Sequence, residues 1–306
     1  MYKAFFGLKE NPFNVNPDPR FLFRTREMDE ALACLTYGIQ RRRGFILLTG
    51  EVGTGKTTLL NKLMEWLRGE RVATAFIFNP RLTVNQFLNF AMADFGISCA
   101  STMKSQVLLQ LNQWLLERYR AGETAVLVVD EAQNLSPELL EEIRLLTNLE
   151  TATEKLLQIV LSGQPELEQI LKQPSLRQLR QRITLRSKMV PLSLKDTHGY
   201  IAERLRVAGS NGESIFGDEA IEAVFRYSSG IPRLINLLCE HALISAFADG
   251  TRPVSAGIIE TVAEEFELSH SPVAGVPPAK GANSAAHVVN SLQNLGQVMD
   301  RMRKGE

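Results

Sequence analysis

The stretch that decides the fold is Gly50-Glu51-Val52-Gly53-Thr54-Gly55-Lys56-Thr57. It follows an apolar run at 44–49 and leads into a helical pattern that starts at Thr58. A strand, a glycine-rich turn and the first turn of a helix together form a phosphate-binding loop. The glycines let the backbone wrap closely around phosphates, and the amide groups and the helix N-terminus stabilise negative charge. Residues 50–58 therefore predict a nucleoside triphosphate site, with ATP as the expected ligand.

Two adjacent carboxylates, Asp130 and Glu131, end a second apolar run at 124–129. Such a run is typical of a buried parallel strand. The expected metal is Mg²⁺, held by the Thr57 hydroxyl and by Asp130, while Lys56 reaches the outer phosphates. Glu131 is expected to polarise the water that attacks the γ-phosphate, which predicts hydrolysis as well as binding. The alternative is that the two acids only cap the next helix.

Composition gives little indication of a charged partner or a transition metal. The chain has 306 residues with 34 basic and 34 acidic side chains, so generic electrostatic binding to nucleic acid is not indicated, although a local patch is not excluded. The three cysteines and four histidines show no metal-ligand spacing. No apolar stretch approaches the ~20 residues that span a bilayer, and the first residues lack the pattern of a signal peptide. The expected location is the cytoplasm.

Apolar strand-like runs alternate with helical patterns from residue 40 to about 192, at 44–49, 72–78, 124–130, 156–162 and 183–190. This alternation predicts an α/β P-loop fold, with a parallel sheet covered by helices on both faces. Only helical patterns follow from about 193, which predicts a small all-helical lid. The expected divisions are an N-terminal segment at 1–23, an ATPase core at 24–192, the lid at 193–268, a linker at 269–286 and a short amphipathic helix at 287–306.

The end of the chain has its own pattern. Residues 269–286 are rich in Pro, Gly, Ala and Ser, as in a linker that buries little apolar surface. Beyond it, apolar residues at steps of four and three share one helix face, namely Val288, Leu292, Leu295, Met299 and Met302. An isolated helix of this length is marginal in water. The tail is therefore expected to fold only against a partner, the alternative being a frayed terminus.

The phosphate loop, the Asp-Glu strand end and the helical lid together resemble the AAA+ ATPases. The opening at 2–8, 11–13 and 17–23 is similar to the start of the ExeA/GspA-type general-secretion ATPases, whose relatives include the MSHA-pilus, exosortase-linked and TnsC-like ATPases. The same likeness covers about residues 1–268, including the segments at 76–80, 130–133, 163–167 and 229–233.

The resemblance implies that residues 1–23 form an N-terminal strap that contributes to the adenine pocket. It also implies an oligomeric ATPase switch or motor, assembled as a ring or filament. It would serve a secretion, pilus or polysaccharide-export apparatus through a protein partner at the inner membrane. Secretion members carry a membrane span, and often a periplasmic region, after the lid. Neither is found in this sequence, which predicts a cytosolic module that is peripheral to the membrane through its partner. The alternatives are a TnsC-like transposition regulator that binds DNA when ATP-bound, less favoured, and a nucleotide-gated scaffold with little turnover.

The resemblance also assigns polar residues near the strand ends. Gln164 matches the sensor between phosphate and metal carboxylate, where a polar side chain can hydrogen-bond the attacking water or the γ-phosphate. Ser162 is the alternative sensor, and Gln164 would then be a turn residue before a proline. Asn79 resembles the residue that holds the catalytic glutamate inactive until a ligand or partner arrives, the alternative being a plain Asn-Pro turn.

Three arginine assignments complete the expected site. Arg233 matches the second sensor, a guanidinium that reports nucleotide state through the lid. Arg182 matches the residue that enters the neighbouring subunit's site and stabilises transition-state charge, with Arg180 as the second choice. A surface arginine or a solvated helix face would explain the same residues. The basic run 41–43 is read as a solvated helix end, with DNA backbone contact as the alternative.

Overall fold

The computed structural model describes residues 2–14, 18–78, 81–98, 103–212 and 214–268. Residues Arg24–Val190 form one compact unit, and the described parts of Met1–Phe23 and Pro191–Glu306 form the other. Three predictions lie outside the described residues: the linker at 269–286, the helix at 287–306, and the role of Asn79.

The unit Arg24–Val190 contains a five-stranded parallel sheet in the order β2-β3-β4-β1-β5. The strands are β1 (Phe45–Gly50), β2 (Val72–Ile77), β3 (Thr124–Val129), β4 (Leu157–Gly163) and β5 (Ile183–Met189). The bounds of each strand agree to within one residue with those of one of the apolar runs expected to form a strand. The α/β fold with a parallel sheet is confirmed.

Alternate side chains of the central strands β1 and β3 enter two separate cores, one on each face of the sheet. In β1, Phe45 and Leu47 belong to one core, and Ile46 and Leu48 belong to the other. All four are at most 2% exposed. A strand that is covered on both faces must be apolar at every position, which is why these segments read as continuous apolar runs.

Helices cover both faces of this sheet. Two of them, α2 (Arg26–Gln40) and α3 (Lys56–Arg68), contribute to the first face. The other face is covered by α4 (Val84–Asp94), α5 (Lys104–Arg120), α6 (Pro137–Leu146), α7 (Pro165–Leu171) and α8 (Arg177–Arg182). Because all strands are parallel, the residues that follow β1, β3 and β4 meet at one edge of the sheet, the edge where ligands bind in open α/β folds.

The second unit is helical. Its helices are α1 (Tyr2–Phe5), α9 (Leu194–Val207), α10 (Asp218–Ser228), α11 (Pro232–Ala248) and α12 (Ala256–Glu265). Residues of the N-terminal segment share its core, including Phe6 and Phe13, which are 5% and 1% exposed. The N-terminal segment and the helices beyond residue 193 thus fold around one apolar core.

A buried arginine fastens the N-terminal segment to this unit. Arg204 donates from Nε to the carbonyl of Pro12 (2.5 Å) and from Nη2 to that of Asn14 (3.2 Å). Its Nη1 donates to the hydroxyl of Tyr200 (2.6 Å), and its guanidinium lies 4.9 Å from the ring centroid of Phe21. Among the described residues, no carboxylate is in direct contact with this buried cation, so these contacts satisfy it and fix the chain path at 12–14.

Candidate active site

The loop between β1 and α3 closes on itself. Gly53 and Gly55 have φ of 81° and 96°, in the left-handed region that favours glycine. The Thr54 hydroxyl donates to the carbonyl of Glu51 (2.8 Å) and is almost fully buried. Gly50 is required for packing, because a Cβ there would lie 2.7 Å from the carbonyl oxygen of Met189. The backbone path of the loop is therefore defined by its sequence.

This loop leaves several amide groups available to a ligand. Within the described residues, no backbone carbonyl accepts a hydrogen bond from the N–H groups of Val52, Gly53, Gly55, Lys56 and Thr57. The side chain of Val52 is 49% exposed, so the loop is open to solvent. Unpaired amides at the start of a helix form an anion site, because they donate to phosphate oxygens. The positive end of the helix dipole lies at the same place and also attracts negative charge.

Lys56 is a buried cation without a direct anionic partner among the described residues. It is 5% exposed, and its Nζ donates to the carbonyls of Gly50 (2.7 Å) and Glu51 (2.9 Å). Burial lowers the pKa of this ammonium, and the charges of Glu131 and Asp130 offset part of that shift. A phosphate group beside Lys56 would compensate the cost of its burial.

Asp130 follows β3 and is 4% exposed. Its Oδ2 accepts from the hydroxyl of Thr57 (3.0 Å), and its Oδ1 accepts from the hydroxyl of Ser162 (2.8 Å) and the N–H of Glu131 (2.9 Å). In the part of the chain that the structure describes, all three donors are neutral and no ion pair is formed. A buried carboxylate beside a threonine hydroxyl is an oxygen site suited to Mg²⁺.

Glu131 is held by two glutamine amides. Its Oε2 accepts from Nε2 of Gln133 (2.5 Å) and from Nε2 of Gln164 (3.1 Å). The backbone of Glu131 is in the left-handed region with φ of 52°, an uncommon conformation for a residue other than glycine. The structure therefore brings Gln164 to the side chain of Glu131 and Ser162 to that of Asp130, so the two sensor candidates contact different carboxylates.

Arg182 is used inside its own unit. Its Nη1 lies within hydrogen-bond distance of the carbonyl of Arg144 (3.2 Å), the hydroxyl of Thr147 (2.6 Å) and Oδ1 of Asn148 (2.7 Å), at the C-terminal end of α6. Arg180 is exposed, and none of the described residues pairs with its guanidinium. Of the two candidates for a contact with a neighbouring subunit, Arg180 is the one with a free side chain.

Two other arginine predictions fall on different parts of the chain. Arg233 is exposed and is the second residue of α11, in the helical unit. In the basic run, Arg42 is half-buried, donates to the carbonyl of Glu123 (3.1 Å) and lies 4.8 Å from the ring centroid of Tyr119. Arg42 therefore packs within the sheet-containing unit. It is not free for a DNA backbone contact, while Arg41 and Arg43 are exposed.

Comparisons with known proteins agree with this geometry. The family model of an AAA domain matches residues 39–171, which include the loop, both carboxylates and the two sensor candidates. General secretion pathway protein A of Aeromonas hydrophila is 48% identical over 266 residues, covering 87% of this chain and 48% of that protein. The matched residues 39–171 therefore form an AAA domain. The chain spans about half the length of this secretion relative.

Solved AAA+ structures share the fold at low sequence identity. Cdc6p from Pyrobaculum aerophilum superposes with a TM-score of 0.68 at 16% identity, over 84% of this chain and 71% of that chain. A chain of Drosophila ORC bound to DNA gives 0.66 at 22% identity, over 84% and 65%. These likenesses support the fold described above. None of the helices in the described residues is long and apolar enough to cross a membrane.

Proposed function

We propose that this AAA+ chain binds ATP with Mg²⁺ and hydrolyses it as part of an oligomeric switch. The observation that carries the proposal is the pair of carboxylates beside the phosphate loop. Asp130 contacts Thr57, and Glu131 is oriented by two amides while its other oxygen, Oε1, accepts no hydrogen bond from any described residue. One acid is thus next to the loop hydroxyl and the other has an oxygen free for water.

The donor set fits a magnesium ion. Thr57 and Asp130 supply a hydroxyl and a carboxylate oxygen, the hard ligands that Mg²⁺ prefers. Mg²⁺ would neutralise charge on the β- and γ-phosphates. Ser162 donates to Asp130 and so holds the carboxylate in place, while Lys56 and the loop amides bind the phosphates.

Glu131 is the proposed general base. Its free Oε1 accepts the proton of the water that attacks the γ-phosphate, a role that typically contributes ~10²–10⁴-fold to a rate. Gln164 donates to Oε2 of the same carboxylate and so helps to orient Glu131. Arg233 stays the predicted second sensor of the helical unit.

Self-association would complete the site. A trans-acting arginine stabilises transition-state charge in related phosphoryl-transfer enzymes. Arg180 supports this role better than Arg182, because Arg180 is exposed and Arg182 is engaged at the end of α6. Isolated subunits should therefore turn over ATP poorly and gain activity on assembly.

The proposed process is assembly of a secretion, pilus or polysaccharide-export apparatus, through a protein partner at the inner membrane. The supporting observation is the 48% identity to general secretion pathway protein A. The rival is a DNA-associated regulator, and its support is the shared fold with ORC. ATP-dependent binding of duplex DNA that weakens steeply with salt would favour the rival, and no binding at low salt would exclude it.

The catalytic proposal is tested by two variants in a phosphate-release assay. Glu131→Gln should bind ATP normally and hydrolyse it at least ~100-fold more slowly, because it removes the general base. Lys56→Ala should abolish ATP binding, since it removes the cation of the loop. Normal turnover by Glu131→Gln would contradict the assignment of the base. Tight ATP binding by Lys56→Ala would contradict the phosphate site, and negligible turnover by the assembled wild type would favour the nucleotide-gated scaffold.

A further inference from the structure

Gln133 makes two hydrogen bonds at the candidate active site. Its Nε2 donates to Oε2 of Glu131 (2.5 Å), and its Oε1 accepts from the backbone N–H of Gln164 (3.0 Å). Glu131 follows β3 and Gln164 follows β4, so one side chain joins the ends of two neighbouring strands. Both polar ends of the amide are thereby satisfied, and its orientation is defined: the amide nitrogen faces the carboxylate.

The packing around Gln133 leaves room for its amide to reach the end of β4. A Cβ at Gly163 would lie 2.9 Å from Oε1 of Gln133, closer than such contacts normally come. Gly163 ends β4 and is buried. The absence of a side chain there lets the Gln133 amide reach the N–H of the next residue, Gln164.

The same contact orients a strained residue. Glu131 has φ of 52°. For a residue with a Cβ this conformation is unfavourable in free energy, and it persists only where the surrounding structure stabilises it. Both amide donors engage Oε2, so the other oxygen, Oε1, is not used by either glutamine. A carboxylate held in this way keeps one oxygen for the attacking water and loses little freedom when water binds.

We propose that Gln133 is a positioning residue for hydrolysis, which holds Glu131 so that Oε1 faces the attacking water. The inference rests on the proposed role of Glu131 as general base. It assigns to Gln133 a contribution to the chemical step and none to nucleotide binding, because neither of its two hydrogen bonds to described residues involves the phosphate loop.

The first test compares kcat and KM for the assembled ATPase. Gln133→Met keeps the length of the side chain and removes both hydrogen bonds. It should lower kcat by roughly 10–100-fold, the order expected for a misplaced catalytic group, and change KM for ATP by less than about 2-fold. Gln113→Met, on the exposed face of α5, is the matched control and should leave both parameters unchanged. Unchanged kcat in Gln133→Met, or a loss confined to KM, would overturn the proposal.

A second variant separates the two hydrogen bonds. Gln133→Glu keeps an acceptor for the N–H of Gln164 and places a carboxylate against Oε2 of Glu131. It should lose at least as much kcat as Gln133→Met, because like charges repel and the donor is gone. Wild-type kcat in this variant would show that only the link to β4 matters, and the positioning of Glu131 would be refuted.

A third measurement distinguishes this inference from the function on which it rests. In the Glu131→Gln background, adding Gln133→Met should not slow the residual single-turnover rate further, since the two residues act through one carboxylate. A further loss of similar size would mean that Gln133 acts elsewhere. If Glu131→Gln itself turns over normally, the proposed base fails. If it is inactive while Gln133→Met is fully active, only the present inference fails.

Discussion

Replacing Arg182 with alanine should destabilise the sheet-containing unit. Nη1 of Arg182 lies near three acceptors at the C-terminal end of α6: the carbonyl of Arg144, the hydroxyl of Thr147 and the side-chain oxygen of Asn148. The last carbonyls of a helix have no partner within it, and a cation there also interacts favourably with the helix dipole. Removing the guanidinium leaves these groups to water or unpaired.

The size of the effect follows from the exposure of the site. A hydrogen bond to a charged group contributes about 1.5–3 kcal/mol, and a cation at a helix end adds about 0.3–1 kcal/mol. Arg182 is half-buried, so solvent weakens these contacts and a total loss of about 2 kcal/mol is the reasonable sum. For a unit of this size, 1 kcal/mol shifts Tm by about 2–4 °C, so Arg182→Ala should lower Tm by roughly 4–8 °C.

Thermal unfolding without nucleotide, followed by circular dichroism, measures this loss. Arg180→Ala is the matched control on the same helix and should change the stability by less than about 0.5 kcal/mol, because its side chain is exposed. Arg180→Ala should instead lose ATPase activity on assembly, and mixing with Lys56→Ala subunits should restore part of it. The reasoning is refuted if Arg182→Ala has the same Tm as the wild type and its lost ATPase activity returns on mixing with Lys56→Ala subunits.

Three further outcomes follow from the same contacts. Ser162→Ala removes a buried donor to Asp130, so it should raise the Mg²⁺ concentration that supports half-maximal hydrolysis by roughly 10-fold, measured by Mg²⁺ titration. Burial lowers the pKa of Lys56, and a bound triphosphate favours the charged form of this side chain. ATP affinity, measured by calorimetry, should therefore weaken as the pH rises through that lowered pKa. The Lys56→Arg variant should show no such weakening, because its guanidinium stays charged. Arg204→Met leaves two carbonyls of the N-terminal segment without their donor and should cost about 3 kcal/mol, seen as faster proteolysis near residue 14 and a lower denaturation midpoint.

Local patterns in the sequence predicted the sheet and the loop. The central strands β1 and β3 are short apolar runs because both of their faces are buried, so their positions can be read from a few neighbouring residues. The phosphate loop is equally local, since the left-handed Gly53 and Gly55 and the hydrogen bond from Thr54 to Glu51 involve residues only a few positions apart. Such features depend little on the rest of the fold.

Side-chain pairings between distant segments were harder to predict from the sequence. Gln133 lies in the Asp-Glu-Ala-Gln segment quoted for its family likeness, yet its partner Gln164 is 31 residues away and meets it only through the register of β3 and β4. The sequence also gave no sign that Arg182, and not Arg180, would turn toward the end of α6. The docking of the N-terminal segment depends on Arg204, which is about 190 residues further along the chain.

A continuous set of contacts connects the carboxylates to the exposed arginine within one unit. Glu131 begins the short turn that leads into α6, Arg182 binds the end of α6, and α8 carries both Arg182 and Arg180. Contiguity alone does not demonstrate coupling, which requires an interaction free energy. A double-mutant cycle of Gln133→Met with Arg182→Ala measures this interaction free energy from the kcat of the assembled protein. Additive losses would mean that the two sites are independent. An interaction of 0.5 kcal/mol or more, the usual threshold for coupled residues, would show that α6 transmits the position of Glu131 to the helix that carries Arg180.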